Sequence, residues 1–254
     1  MEKIVIDSAK CVGCGLCVKD CVGFDIKIEN GKAVANGDSC IRCGHCEAVC
    51  PNSAVKVLGY ENSVEEFTEQ TRLNPDELMA AIKTRRTIRQ FTEEAVSEDI
   101  IEKIIEAGRL APTGTNSQGT SYVVIQKTKA ECEKISVKMF GSLLRFGQKF
   151  IPQLKSMKID DNFFFKKAPL VILVLGNDKV SASLAAQNMA FMAEACGLGV
   201  LFSGFFTMCV RFSKKIKKLL GIKKEKPVIT LVIGHSAVKY KRTANRNTAV
   251  VKYL

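Results

Sequence analysis

No stretch of this 254-residue chain is apolar for long enough to cross a bilayer. The longest apolar run, Ala168 to Gly176, falls well short of the roughly 20 residues that a spanning helix needs. No partner membrane is therefore expected. No G-x-G-x-x-G follows the early strand of the later region, so a nicotinamide-binding Rossmann unit is not indicated. Nucleic-acid-binding motifs are missing, and aromatic residues do not interleave with the basic ones, so no nucleic-acid partner is expected. A secretory signal is missing too: Met1-Glu2-Lys3-Ile4-Val5 reads as a strand. The chain nevertheless has 11 cysteines. Without a signal they argue against a disulfide framework and for a reducing cytoplasm.

Negative charge is scarce in one region only. Residues 1–58 hold seven basic and seven acidic residues, whereas the remainder holds 31 and 19, which accounts for the whole net charge of +12. Two basic runs stand out, Lys214, Lys215, Lys217 and Lys218, then Lys223, Lys224 and Lys226. They could attract anionic partners, but a solvated lysine-rich helix face is the plainer reading.

Eight of the cysteines lie in the first fifty residues, as Cys11, Cys14, Cys17 and Cys21, then Cys40, Cys43, Cys46 and Cys50. Each set reads C-x2-C-x2-C-x3-C, and the second follows the first at a constant offset of 29. The offset extends beyond the cysteines: Lys3 and Val5 recur as Lys32 and Val34, and Ile26 and Ile28 as Val55 and Val57. This is an internal repeat. Thiolates at i, i+3 and i+6 on a tight loop can wrap three corners of a cubane cluster, and Gly13, Gly15 and Gly44 permit the close backbone approach this needs. Zinc ribbons use pairs of C-x2-C across a longer gap and fit poorly. Cys132, Cys196 and Cys209 lie outside the repeat and read as ordinary thiols.

The repeat resembles the bacterial ferredoxin run for two [4Fe–4S] clusters, in which the fourth cysteine of each run serves the other cluster. The resemblance therefore implies Cys11, Cys14, Cys17 and Cys50 on one cluster, and Cys40, Cys43, Cys46 and Cys21 on the other. Pro51 follows Cys50 but Val22 follows Cys21, a departure that bears on potential rather than on ligation.

The expected layout is a ferredoxin-like domain over 1–58, a linker over 59–75 and a second domain over 76–254. Asn30-Gly31 predicts a type I′ turn in a hairpin from Ile26 to Val34. Asn74 caps a helix with Pro75 at its first position, running toward Arg85. A second helix is expected after Ser97, a strand over Tyr122–Gln126 and a largely helical stretch over 129–149. Buried strands are expected over Leu170–Leu175 and Val228–Ile233. Helices are expected over Ser183–Cys196 and Ser213–Leu220, and Val200–Phe206 is ambiguous.

Four stretches of the later region carry chemistry. They are Arg85-Arg86-Thr87-Ile88-Arg89-Gln90-Phe91, Ala111-Pro112-Thr113-Gly114-Thr115-Asn116-Ser117-Gln118, Gly197-Leu198-Gly199-Val200-Leu201-Phe202-Ser203-Gly204, and the tail Lys239-Tyr240-Lys241-Arg242-Thr243-Ala244-Asn245-Arg246. Arginines beside a hydroxyl can grip a phosphate. In this order and spacing the four stretches resemble the FMN-dependent nitroreductase family. With the cysteine repeat, the chain is similar to the ferredoxin–nitroreductase fusions of anaerobic microbes.

The resemblance implies an α+β class, a ferredoxin-like domain followed by an α+β sandwich that dimerises with FMN at the interface. It implies that Arg85 and Thr87 hold the phosphate and ribityl chain, that Arg86 is a further cofactor-binding residue, and that Arg89 lies beside the flavin pyrimidine. Pro112, Thr113 and Asn116 would reach the flavin of the other subunit, with Gly114 a further cofactor-binding residue of that loop. Ser203 and Gly204 would turn backbone N–H groups to flavin N5 and O4, and Arg242 and Arg246 would reach the phosphate from the tail. Electrons would pass from an external donor, reduced ferredoxin or NAD(P)H, through two [4Fe–4S] clusters to FMN. From there they would reach a small electron-poor acceptor of nitroaromatic or quinone type. The alternatives are an electron-transfer module for a protein partner, or a reductase of a specific metabolite or of free flavin. No catalytic side chain is required beyond the flavin. Two departures fall on the pocket wall. Gln118 is followed by Gly119-Thr120 where the family has Pro-Trp, and the family's Gly-Tyr-Pro is Gly234-His235-Ser236. His235 reads as a surface histidine rather than a proton donor.

Overall fold

The computed structural model describes residues 2–61, 64–68, 72–151 and 155–254, in two compact units. Positions 62, 63 and 69–71 of the expected linker lie outside the described residues. The first unit takes in residues 1–73 together with 114–117, and the second takes in 74–113 and 118–254.

In the first unit the repeat becomes a structural pseudo-symmetry. β1 (Ile4–Ile6) pairs antiparallel with β4 (Val55–Val57), and β2 (Ile26–Glu29) pairs with β3 (Lys32–Ala35). The offset of 29 relates β1 to β3 and β2 to β4, so each two-stranded sheet takes one strand from each half. One-turn helices α1 (Leu16–Lys19) and α2 (His45–Ala48) are also related by 29. So are the left-handed residues Gly13 and Arg42, Gly15 and Gly44, and Phe24 and Ser53. Asn30 and Gly31 both have positive φ, as a type I′ turn requires. The core is small, built from Ile4, Ile26, Ala33, Ala54, Val55 and Val57, and it includes the cysteines Cys11, Cys17 and Cys46.

In the second unit a four-stranded antiparallel sheet has the order β5-β6-β8-β7, with β5 (Thr120–Ile125), β6 (Leu170–Gly176), β7 (Gly199–Phe202) and β8 (Pro227–Gly234). All seven residues of β6 are buried. Its side chains alternate between faces. Val171, Leu173 and Leu175 join a core with Phe140, Phe206 and Ile216. These three come from α5 (Lys129–Gly147), α7 (Gly204–Phe212) and α8 (Lys214–Leu219). Leu170, Ile172 and Val174 join a second core with Ile104 and Met189, from α4 (Glu98–Arg109) and α6 (Lys179–Ala195). The sheet thus lies between two helical layers, an α+β sandwich as expected. Near its outer edge Thr87 bridges to Val200 of β7, and Phe91 bridges to Ser236 beyond β8. This strap lays Arg85–Arg89 along the sheet. Gly199 is needed there, since a Cβ would lie 2.4 Å from Ile88 Cγ1.

α3 (Pro75–Thr84) starts at Pro75, with the Asn74 side chain accepting from the N–H groups of Asp76 and Glu77. α6 starts four residues earlier than the expected Ser183, because Asp178 caps it by accepting from Val180 N–H and Ser181 N–H. The ambiguous Val200–Phe206 stretch divides into the end of β7 and the start of α7. Among the described residues, no helix is long and apolar enough to cross a membrane.

Candidate functional site

The eight cysteines of the repeat line two separate cavities, both within the first unit. One is bounded by Cys11, Cys14, Cys17 and Cys50, with Gly13, Gly15 and Pro51. The other is bounded by Cys21, Cys40, Cys43 and Cys46, with Gly23 and Gly44. Each therefore draws three thiols from one half of the repeat and one from the other. The crossing follows from the strand pairing, which carries the end of each run to the far half.

Backbone N–H groups point at the sulfurs. Ala33 N–H donates to Cys11 Sγ at 3.3 Å and Arg42 N–H to Cys40 Sγ at 3.3 Å. Asp25 N–H donates to Cys21 Sγ at 3.4 Å, and its repeat mate Ala54 N–H to Cys50 Sγ at 3.2 Å. Such donors favour the thiolate. The N–H groups of Ala33 and Gly13 hold the Cys11 thiol below its usual range. Burial acts the other way elsewhere, raising Cys17 and pushing Cys46 up to about 11. Burial makes these protons harder to lose, and a bound metal cation would displace them by stabilising the thiolate. Among the described residues no three His, Cys, Asp or Glu side chains are grouped to hold a single metal ion. Four thiols spread around one cavity suit a polynuclear iron–sulfur group instead. Gly13 is the tightest point, because a Cβ there would lie 2.1 Å from Gly31 O.

The second unit brings Arg89, Ser203 and Gly204 together. They border one cavity of about 670 Å³ whose other walls are Phe163, Phe164, Lys166, Leu201, Phe202 and Phe205. That size suits a cofactor or a drug-sized ligand. Beneath it lies a buried polar network. Thr207 Oγ1 donates to Ser203 O at 3.0 Å and lies 2.9 Å from Thr230 Oγ1, and Ser203 Oγ donates to Phe164 O at 3.3 Å. Ser203 N–H is committed to Thr230 O at 2.8 Å. This corrects the expectation that it turns outward, because β7 and β8 remain paired to that point. Gly204 is the first residue of α7, where an N–H has no partner within the helix.

Arg85 sits at the C-terminus of α3 with Nη1 buried and, among the described residues, unpartnered. An orphaned guanidinium nitrogen fits a phosphate oxygen. Arg86 lies over the ring of Tyr240, 5.1 Å from its centroid, which ties the strap to the tail. Arg85, Arg86, Thr87, Pro112, Thr113, Arg242 and Arg246 do not border the Arg89 cavity. Thr113 Oγ1 accepts from Gln118 N–H at 3.0 Å. Gly114 and Asn116 group with the first unit, where Asn116 Nδ2 donates to Ile41 O at 3.1 Å and Arg42 O at 2.9 Å. Arg242 and Arg246 are exposed. His235 is half-buried with Nε2 3.8 Å from Glu94 Oε1, outside the cavity. Lys166 and the phenylalanine wall were not expected. Phe163-Phe164-Phe165-Lys166-Lys167 has no periodicity that marks a site, and only the cavity shows its role.

A sandwich of helices on an antiparallel sheet with a cationic cavity, preceded by a duplicated four-cysteine run, fits an iron–sulfur oxidoreductase. Comparison with known proteins agrees. The Nitroreductase family pattern matches residues 82–235, and the 4Fe-4S dicluster domain pattern matches residues 3–51. The chain belongs to the nitroreductase family of oxidoreductases and carries a 4Fe-4S dicluster domain at its N-terminal side. It is 26% identical over 167 residues to a provisionally named NADH dehydrogenase/NAD(P)H nitroreductase of Archaeoglobus fulgidus, which covers 62% of this chain and 83% of that one. It is also 26% identical over 176 residues to the iodotyrosine deiodinase of Hydra vulgaris, covering 61% and 63%. Among solved structures, the nitroreductase with bound FMN from Desulfitobacterium hafniense superposes with a TM-score of 0.59 at 19% identity. That match covers 72% of this chain and all of the other, which shows the shared fold.

Proposed function

We propose that the chain is an iron–sulfur flavoprotein reductase. Two [4Fe–4S] clusters pass electrons to FMN, which reduces a small, flat, electron-poor acceptor such as a nitroaromatic or a quinone. The observation that carries this is the convergence of Arg89, Lys166, Ser203 and Gly204 on one phenylalanine-walled cavity, in a chain that also builds two four-thiol cavities. FMN, once bound, joins one-electron carriers to two-electron chemistry and needs no catalytic side chain.

The protein's part is position and charge. Arg89 and Lys166 supply positive potential at the cavity, which favours reduced over oxidised flavin. Arg85, Arg86 and Thr87 hold phosphate and ribityl chain, and the buried Arg85 nitrogen supports this. The phenylalanine wall excludes water and offers faces for a planar acceptor. Cys11, Cys14, Cys17 and Cys50 ligate one cluster, and Cys21, Cys40, Cys43 and Cys46 the other. The corresponding domains span 1–58 and 76–254, joined by 59–75.

The working form is a homodimer. α3 buries none of its residues and exposes Leu78, Met79 and Ile82 on one side, an unpartnered apolar stripe. In that assembly Pro112, Thr113, Gly114, Asn116, Arg242 and Arg246 complete the flavin site. The donor is reduced ferredoxin or NAD(P)H, the latter supported by the Archaeoglobus relative's name, and a reducing cytoplasm suits the free thiols.

Reductive titration of anaerobically purified protein tests the scheme. Clusters and flavin should both take up electrons, and a nitroaromatic or quinone should reoxidise both. Flavin that stays oxidised beside reduced clusters would refute the relay. Arg89→Ala should weaken FMN retention or lower the flavin potential by tens of millivolts, about 1 kcal/mol of lost Coulomb attraction. Unchanged retention and potential would remove Arg89 from the site.

A further inference from the structure

The phenylalanine wall is held from behind by a carboxylate that the proposed reaction does not use. Glu133, on α5, is only 8% exposed. Its Oε1 accepts from Phe164 N–H at 2.7 Å and its Oε2 from Phe165 N–H at 3.1 Å. On the other side of the same peptide, Phe164 O accepts from Ser203 Oγ. The segment needs such a grip, because the next two residues, Lys166 and Lys167, both adopt left-handed angles, with φ of 51° and 65°. Lysine enters that region only when its surroundings over-determine it. Phe163, Phe164 and Lys166 all face the Arg89 cavity, whereas Glu133 lines a second cavity behind them, with Phe165 and Lys167.

We propose that Glu133 is a positioning residue for the acceptor side of the flavin cavity: its ionised carboxylate clamps two adjacent peptide N–H groups and thereby fixes Lys166 and the phenylalanine wall. This deepens the flavin reading given above and rests on it. Only the ionised form accepts both bonds fully, since a protonated carboxyl turns one oxygen into a donor. Burial pushes Glu133 up to about 7, against the two N–H groups and Lys166, while Asp160 pushes in the same direction as burial. Lys129, from the same helix, feels Glu133 and donates to Ala168 O at 2.7 Å. Lys134 and Lys138 of α5, and Asp161, Lys167 and Glu93 from the facing segments, line the same cavity. The clamp therefore closes as pH rises through neutrality and opens below it.

The test compares full-length wild type, Glu133→Gln and Arg89→Ala, each reconstituted with clusters and FMN. A quinone serves as acceptor, and amide hydrogen exchange is read over residues 160–168. Glutamine keeps the shape but accepts only one of the two bonds. Glu133→Gln should keep FMN and kcat, raise KM for the quinone by roughly 10-fold and abolish the wild-type rise in KM below about pH 7. Exchange at Phe164 and Phe165 should be faster. Wild-type KM together with an intact inflection would overturn the proposal. An Arg89→Ala variant with unchanged retention and potential only removes Arg89 from the site, whereas if the wild type neither retains FMN nor reduces the quinone, the flavin reading is what fails. The clamp is then judged on exchange alone: faster exchange at Phe164 and Phe165 in Glu133→Gln upholds it, and unchanged exchange overturns it.

Discussion

β8 in the second unit runs for eight residues, while among the described residues no strand of the first unit exceeds four. Ile172, Leu173 and Val174 in β6 are completely buried, packed on both sides by helices. The first unit's core is a handful of small aliphatic residues interleaved with Cys11, Cys17 and Cys46. One unit owes its cohesion to buried hydrocarbon. The other has too little of it to hold its shape unaided, as small metal-stapled domains generally do. On the proposed reading a metal group would complete the first unit's core, whereas the cavity of the second is lined by a scaffold that stands on its own packing.

The sharpest way to break this comparison is to strip the iron. Anaerobic chelation should unfold the first unit and leave the second folded, seen as loss of amide protection over residues 2–58 with the 170–176 and 227–234 strands still protected. Loss of protection in both units would show a shared dependence on the clusters. The converse change is smaller: Leu173→Ala should cost the second unit about 3–5 kcal/mol in denaturant unfolding and leave the iron content of the first unchanged. A subtler contrast lies within the first unit. Gly15 has φ of 75° and open space within 4 Å of where a methyl would stand, whereas a methyl on Gly13 would strike Gly31 O. Gly15→Ala should cost about 1–2 kcal/mol for the left-handed backbone alone, measured as a modest rise in iron loss to a chelator. Gly13→Ala should lose iron much faster; equal loss in the two variants would mean that the close approach at Gly13 carries no strain.

The same division explains what the sequence made legible. The eight cysteines can be read because the repeat fixes them at one offset, but each cavity takes three from one run and its fourth, Cys50 or Cys21, from the other, an exchange that the spacing alone does not encode. β6 is visible as an unbroken apolar run and β8 as one interrupted by Thr230, as suits strands covered on both faces. The start of α6 is harder to see, because its alanine-rich face is buried against the sheet and α4, which blurs the helical period and leaves the Asp178 cap as the main local signal. The phenylalanine wall, Lys166 and Glu133 are not legible at all. They meet through a loop whose path is set by side-chain-to-backbone bonds 31 and 32 residues apart, and no local pattern encodes such a bond. The grouping of 114–117 with the first unit is equally hidden, since the family pattern assigns that loop elsewhere.

The exchange of strands between the two halves has a consequence for synthesis. The cavity that begins at Cys11 lacks its fourth thiol until Cys50 has been made, whereas the one that ends at Cys46 already has Cys21 in hand. On a chain emerging from the ribosome, the site encoded first is the one completed last. A nascent chain halted between Cys46 and Cys50 would carry one complete thiol set and one set of three.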